Sequence, residues 1–292
     1  SSFFKRCRGK NLMNQNINVE KTFSLALENH QKNNLKKAED LYKQILAENP
    51  NHYQSIFFLG TLFAQSKKFD LAKQWLNKAI TINKKDSNAH NNLGLVYRDL
   101  GQSQKAIDCF EKAIEINSNY VAAHSNLGNL LNSLGNFKKG KIHFEKAIEI
   151  QPRNPVTHAN FGGLEKSLGN FKKAISHFEE ATKCGPDSLV YRYQLSLLKN
   201  EILDSDLKKK IFEIMNKKNS SNENIAYGNF LLAKYEEKLE NHKGEFNYLL
   251  KGHEYFLKTK EKKFNKEILL KIFPSNHSDS LDDQTLKPIL KN

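Results

Sequence analysis

Counted in steps of 34 from Val19, small and large residues of this chain fall at separate, fixed places. The seventh position reads Leu25, Leu59, Leu93, Leu127, Phe161 and Leu195, and the eighth reads Ala26, Gly60, Gly94, Gly128, Gly162 and Ser196. The twentieth reads Ala38, Ala72, Ala106, Gly140 and Ala174, and the twenty-fourth Tyr42, Leu76, Phe110, Phe144, Phe178 and Phe212. Ile45, Ala79, Ala113, Ala147 and Ala181 share the twenty-seventh, and prolines 50, 152 and 186 the thirty-second. A fixed period of this length means one supersecondary unit used repeatedly, and such a unit cannot bury its apolar faces without a neighbour.

The spacing within each unit predicts two helices with apolar stripes, joined by a break such as Gly135-Asn136-Phe137. Small residues at eight, twenty and twenty-seven let helix backbones approach. The Asn-Pro and Gln-Pro endings stop the second helix, because proline disfavours α conformation in the residue before it. The expected fold is all-α: a right-handed α-solenoid of stacked antiparallel helix pairs.

Leu-Gly at seven and eight, an aromatic at eleven (Phe63, Tyr97), Ala-x-x-x-Phe-x-x-Ala and a closing Pro make residues 19–188 resemble the tetratricopeptide repeat family, with five units of 34. This disposes of a competing motif. Gly135, Gly140 and Lys141 have the G-x-x-x-x-G-K spacing of a phosphate-binding loop. Ile142 stands where a magnesium-binding hydroxyl belongs, and residues 167–181 repeat the stretch 34 positions later with Ala174 for Gly140. The segment reads as an interhelix turn.

Net charge is +14. Residues 1–18 carry four Lys/Arg and no acid, whereas residues 19–188 interleave 23 basic with 17 acidic side chains. Specific nucleic-acid binding is therefore not expected, and weak, non-specific binding would rest on Lys5, Arg6, Arg8 and Lys10. Residues 1–18 read as a basic extension, with Met13 as a start site. No apolar run is long enough to span a bilayer. Cys7, Cys109 and Cys184 are odd in number and far apart, as in a reducing, cytoplasmic compartment.

Residues 189–273 read as degenerate hairpins and a short helix at 261–273, and residues 274–292 as a flexible tail. A hairpin begins near Ala226, with Leu232-Ala233 in place of Leu-Gly and Glu240-Asn241-His242 as its turn. The stretch "FLLAKYEEKLENHKGEFNYLLKGHEYF", followed by a lysine-rich helix, an acidic segment and "LKPIL", resembles bacterial proteins whose repeat array precedes a sulfotransferase domain. That resemblance implies a substrate-recruiting half of a transferase. The P-R-S-G-T loop of that family occurs nowhere in these 292 residues.

No nucleophile–base set, metal motif or cofactor fingerprint is present, so a non-catalytic, cofactor-free chain is expected. His90, His124 and His158 share position four and read as half-buried spacers, since equivalent residues of neighbouring repeats stand too far apart to share an ion. Trp75 reads as inter-helix packing. The tetratricopeptide resemblance implies that first helices line a concave surface through positions two, five, six, nine, twelve and thirteen. Position six holds Asn92, Asn126 and Asn160, with Asn91, Asn129 and Asn132 nearby. Asparagine is a mediocre helix former, so three at one position ask for a reason. The row is similar to the asparagine ladder of the O-linked N-acetylglucosamine transferase family. It predicts amides free of intramolecular partners that bond the backbone of an extended peptide, with Arg98, Asn129, Asn132 and Lys166 setting preference. A clamp for a C-terminal carboxylate would need clustered Lys and Arg at these places, which the sequence lacks.

Overall fold

The computed structural model describes residues 18–199 and 203–259. The basic extension before residue 18, the helix expected at 261–273 and the tail at 274–292 lie outside them, as do Cys7 and Met13. Among the described residues all regular structure is helical. The helices are α1 (18–31), α2 (Leu35–Glu48), α3 (Tyr53–Gln65), α4 (Phe69–Ile82), α5 (Ser87–Asp99), α6 (Ser103–Ile116), α7 (Val121–Ser133) and α8 (Phe137–Ile150). There follow α9 (Pro155–Ser167), α10 (Phe171–Cys184), α11 (Leu189–Ser196), α12 (Ser205–Met215), α13 (Asn222–Lys238) and α14 (His242–Thr259). They fall into two compact units that divide after Gln151.

In the first unit α3–α4, α5–α6 and α7–α8 pack as hairpins, and α2, α4 and α6 each also pack on the next first helix. The small residue at position eight faces the large one at position twenty-four. A Cβ added at Gly94 would lie 2.6 Å from the ring of Phe110, and one at Gly60 or Gly128 would meet Leu76 or Phe144 at 3.0 or 3.1 Å. Leu76, Phe110 and Phe144 are fully buried, as are Ala79, Ala113 and Ala147. Trp75 is partly buried against the same core. Leu25 departs from its stripe: it is 42% exposed, while its neighbour Ala26 is buried.

The turn between paired helices is equally uniform. The residue after the last helical turn has positive φ (Gly101, Gly135 and Gly169 at 73° to 76°), and the next N–H reaches back five residues, as Asn136 N to Leu131 O at 2.8 Å. This is the helix-ending bond that satisfies an orphan carbonyl, and it favours glycine. Asn33, Lys67 and Glu240 adopt the same conformation without being glycine. Gly135–Lys141 is thus a turn and the first residues of α8, with Gly140 buried under Gly128.

In the second unit α9 and α10 form the same hairpin, with Phe178 against Gly162. The next repeat departs from the pattern. α11 is only eight residues long, and α12 packs on α13. Phe212, aligned with the buried aromatics, is instead 37% exposed, and Ile211 and Ile214 are buried. α13 and α14 pair closely about a turn at Glu240, where Asn241 N donates to Glu236 O at 2.9 Å.

Replacing Lys67 by Gly removes a left-handed residue with a side chain and is expected to stabilise the first unit by about 1 kcal/mol. Gly94→Ala is expected to lower the melting temperature by forcing Phe110 to move. A Gly94→Ala variant melting at or above the parent would show that the seat has slack.

Candidate functional site

The first helices α3, α5 and α7 also touch one another. Along this contact the asparagines of α5 and α7 are joined in a line. Asn126 Nδ2 donates to Asn91 Oδ1 at 2.9 Å, Asn91 Nδ2 to Asn92 Oδ1 at 3.3 Å, and Asn92 Nδ2 to Thr61 Oγ1 at 3.2 Å. Thr61 Oγ1 then donates to the Phe57 carbonyl at 3.0 Å. Every donor in this line points the same way, from α7 through α5 to α3.

The expectation of partner-free amides is therefore overturned for Asn92 and Asn126. Asn91, expected as a contact residue, is 4% exposed and lies beneath the other two. The reason is that side chains at five and six of adjacent first helices come within hydrogen-bond reach. A primary amide offers two donors and a two-lone-pair acceptor, so Asn92 and Asn126, both half-buried, keep spare capacity.

The remaining expected residues are distributed around this line. Asn129 is exposed, and Asn132 is half-buried with an Oδ1 that has no partner among the described residues. Arg98 is held by its neighbour Asp99, at 2.7 Å. Asn160 and Lys166 belong to the second unit, where Lys166 Nζ donates to Gln194 Oε1 at 3.3 Å. On α3 the line meets half-buried aromatics. Tyr53, Phe57 and Thr61 are four residues apart on one stripe, with the rings of Tyr53 and Phe57 stacked at 6.4 Å.

The histidines at position four prove to be anchors. His90, His124 and His158 each turn Nε2 to a carbonyl six residues earlier: Lys84 O at 3.2 Å, Ser118 O at 3.0 Å and Pro152 O at 2.9 Å. Arg192, at the same position, donates Nη2 to Pro186 O at 3.0 Å. A carbonyl only accepts, so each ring carries its proton on Nε2 and leaves Nδ1 as an acceptor. His143 fills that place for His124 at 3.1 Å, and His177 for His158 at 3.2 Å, Nδ1 to Nδ1. Sequence inspection missed these pairs, although His143 and His177 recur at one position. Among the described residues no three His, Cys, Asp or Glu side chains are grouped to hold a metal.

Residues 87–120 and 121–154 each match the tetratricopeptide repeat family, and residues 30–94 match a second tetratricopeptide repeat description. The fold is that of a helical-hairpin repeat protein. The chain belongs to the tetratricopeptide repeat family. Human RANBP2-like and GRIP domain-containing protein 8 is 33% identical over 54 residues, and protein 1 of that name 32% over 54. Those stretches are 18% of this chain and only 3% of the length of these relatives. Among solved structures, a tetratricopeptide repeat protein from Parabacteroides merdae has a TM-score of 0.57 at 18% identity, over 87% of this chain and 96% of that one. A thermophilic repeat protein of Thermus thermophilus has 0.55 at 17%, over 62% and 98%. These likenesses concern the fold alone. No helix among the described residues is long and apolar enough to cross a membrane.

Burial, and then the neighbouring His124, hold the His143 imidazole down to about 4, and burial lowers His124 as well. The unfolded chain takes up these protons near the ordinary histidine value of about 6.5. The stabilisation is therefore complete above that pH and lost progressively as pH falls towards 4. Thermal melts between pH 7.5 and 5 should show a falling midpoint, and His143→Gln, which keeps a donor for His124, should flatten the slope. An equal slope in the variant would show that the pair does not carry it.

Proposed function

We propose that this chain is a non-catalytic protein-binding scaffold, and that the face formed by α3, α5 and α7 takes an extended peptide. The observation that carries the reading is the line Asn126–Asn91–Asn92–Thr61. It sets the outer amides in fixed orientation on a surface where Arg98 is already neutralised by Asp99. Pre-set amides lose little side-chain entropy on binding, and they pair with any peptide unit whatever its side chains. Recognition at this face would therefore read backbone first. The sulfotransferase-recruiting reading rests on the resemblance of residues 190–290 alone, and no geometry described above adds to it.

The test is a displayed library of extended peptides selected against the whole chain, with binders mapped by side-chain amide resonances. Net hydrogen bonds are worth about 0.5–1.5 kcal/mol each. The double variant Asn92→Ala/Asn126→Ala should therefore lose about 1–3 kcal/mol of affinity for a selected peptide while keeping its helical circular dichroism. Unchanged affinity in a folded double variant would refute the proposed face.

A further inference from the structure

We infer that the interhelix turns form a cationic edge with apolar tips that docks on anionic phospholipid bilayers. This edge is separate from the α3–α5–α7 face, and the inference stands independently of the peptide-binding reading.

The first observation is where the charge sits. In a stack of helical hairpins the turns within successive hairpins fall along one edge. In the first unit these turns are residues 30–37, 64–71, 98–105 and 132–139, which together hold nine Lys or Arg and two acids. The rest of residues 18–151 holds nine basic and eleven acidic side chains. The positive excess of this unit is therefore confined to the turns, and the body of the hairpins is slightly acidic. Lys67, Lys138 and Lys139 are exposed and make no ion pair among the described residues.

The second observation is what stands at the tips. Ser133-Leu134-Gly135-Asn136-Phe137-Lys138-Lys139, between α7 and α8, recurs residue for residue as 167–173, between α9 and α10 in the second unit. Gly135 and Gly169, with φ of 75° and 76°, reverse the chain, so their neighbours stand at the extremity of each hairpin. Leu134 is 51% exposed, Leu168 41% and Phe171 55%. The hairpins bury other residues, Phe144 and Ala147 of α8 and Phe178 and Ala181 of α10. Each of the two turns thus sets exposed apolar groups within a few residues of two unpaired lysines, Lys138 and Lys139 in one and Lys172 and Lys173 in the other.

That combination selects the occupant. At an anionic bilayer the ammonium groups meet lipid phosphates, each lysine contributing roughly fivefold in affinity. Leucine and phenylalanine enter the boundary between headgroups and acyl chains, as the apolar face of an interfacial helix does. Lysine stems lie along the same apolar layer while their heads stay among the headgroups. A nucleic acid would engage the lysines, but its phosphates and sugars give Leu134 and Leu168 no apolar partner. A bilayer uses both sets of side chains.

The experiment is co-sedimentation of the full chain with vesicles at physiological ionic strength. One preparation is phosphatidylcholine alone, and the other is phosphatidylcholine with an equal part of phosphatidylglycerol. The chain should bind the anionic vesicles and leave the neutral ones. Lys138→Gln/Lys139→Gln/Lys172→Gln/Lys173→Gln should weaken this binding by about tenfold or more, and Lys→Arg at the same positions should retain it. Leu134→Ser/Phe171→Ser should weaken it by about threefold or more and leave the weak binding to a DNA duplex unchanged. All the altered side chains are exposed, and far-UV circular dichroism checks each fold. Absence of binding to anionic vesicles overturns the inference. Equal binding by the Lys→Gln chain does so too, because the attraction then comes from basic residues elsewhere. If Leu134→Ser/Phe171→Ser keeps full vesicle binding while the Lys→Gln set loses vesicles and DNA alike, the edge is a general polyanion site and the bilayer assignment is overturned.

Discussion

The repeats depend on one contact: the large side chain at position twenty-four seated against the small residue at position eight. Phe110 on Gly94, Phe144 on Gly128 and Phe178 on Gly162 bring each pair of helices together. The seat sets how near the first helix lies to the second. The buried Ala79, Ala113 and Ala181 then let α5, α7 and α11 approach in the same way. The side-chain line on α3, α5 and α7 is a consequence. Hydrogen bonds of 2.9 and 3.2 Å between side chains of separate repeats exist only because successive first helices are drawn into contact.

Much of this was legible in the sequence because the seat is written as residue size. Glycine cannot be mistaken for phenylalanine, and the alternation survives from Gly60–Leu76 through Gly162–Phe178. The turn was legible for a similar reason: Gly101, Gly135 and Gly169 mark the left-handed residue directly. Lys67 and Glu240 occupy the same conformation with no such mark, and only the surrounding period locates them. Where the size code lapses, the reading lapsed too. Phe212 kept the period but not the burial, because α12 packs on α13 through Ile211 and Ile214, one residue out of register.

The polar side chains were legible as positions but not as partners. Asn126 meets Asn91, 35 residues away, because position six of one repeat reaches position five of the one before. A column read down position six alone cannot reveal a diagonal bond. The histidines show the same limit. His124 and His143 lie 19 residues apart on the two helices of one repeat, and their union follows from the hairpin. Their recurrence as His158 and His177 was the available signal. Arg192 repeats the carbonyl anchor with a different side chain, so the site is defined by a donor at that place.

The amide line is a set device, with Asn91 as the buried residue that orients its two neighbours. The most direct measurement is the side-chain ¹H–¹⁵N amide spectrum of asparagine-labelled protein before and after Asn91→Ala. Such a device requires that the resonances of both Asn92 and Asn126 move, with those of the exposed Asn129 unchanged. Loss of the Asn91 signals alone, with Asn92 and Asn126 unmoved, would contradict it.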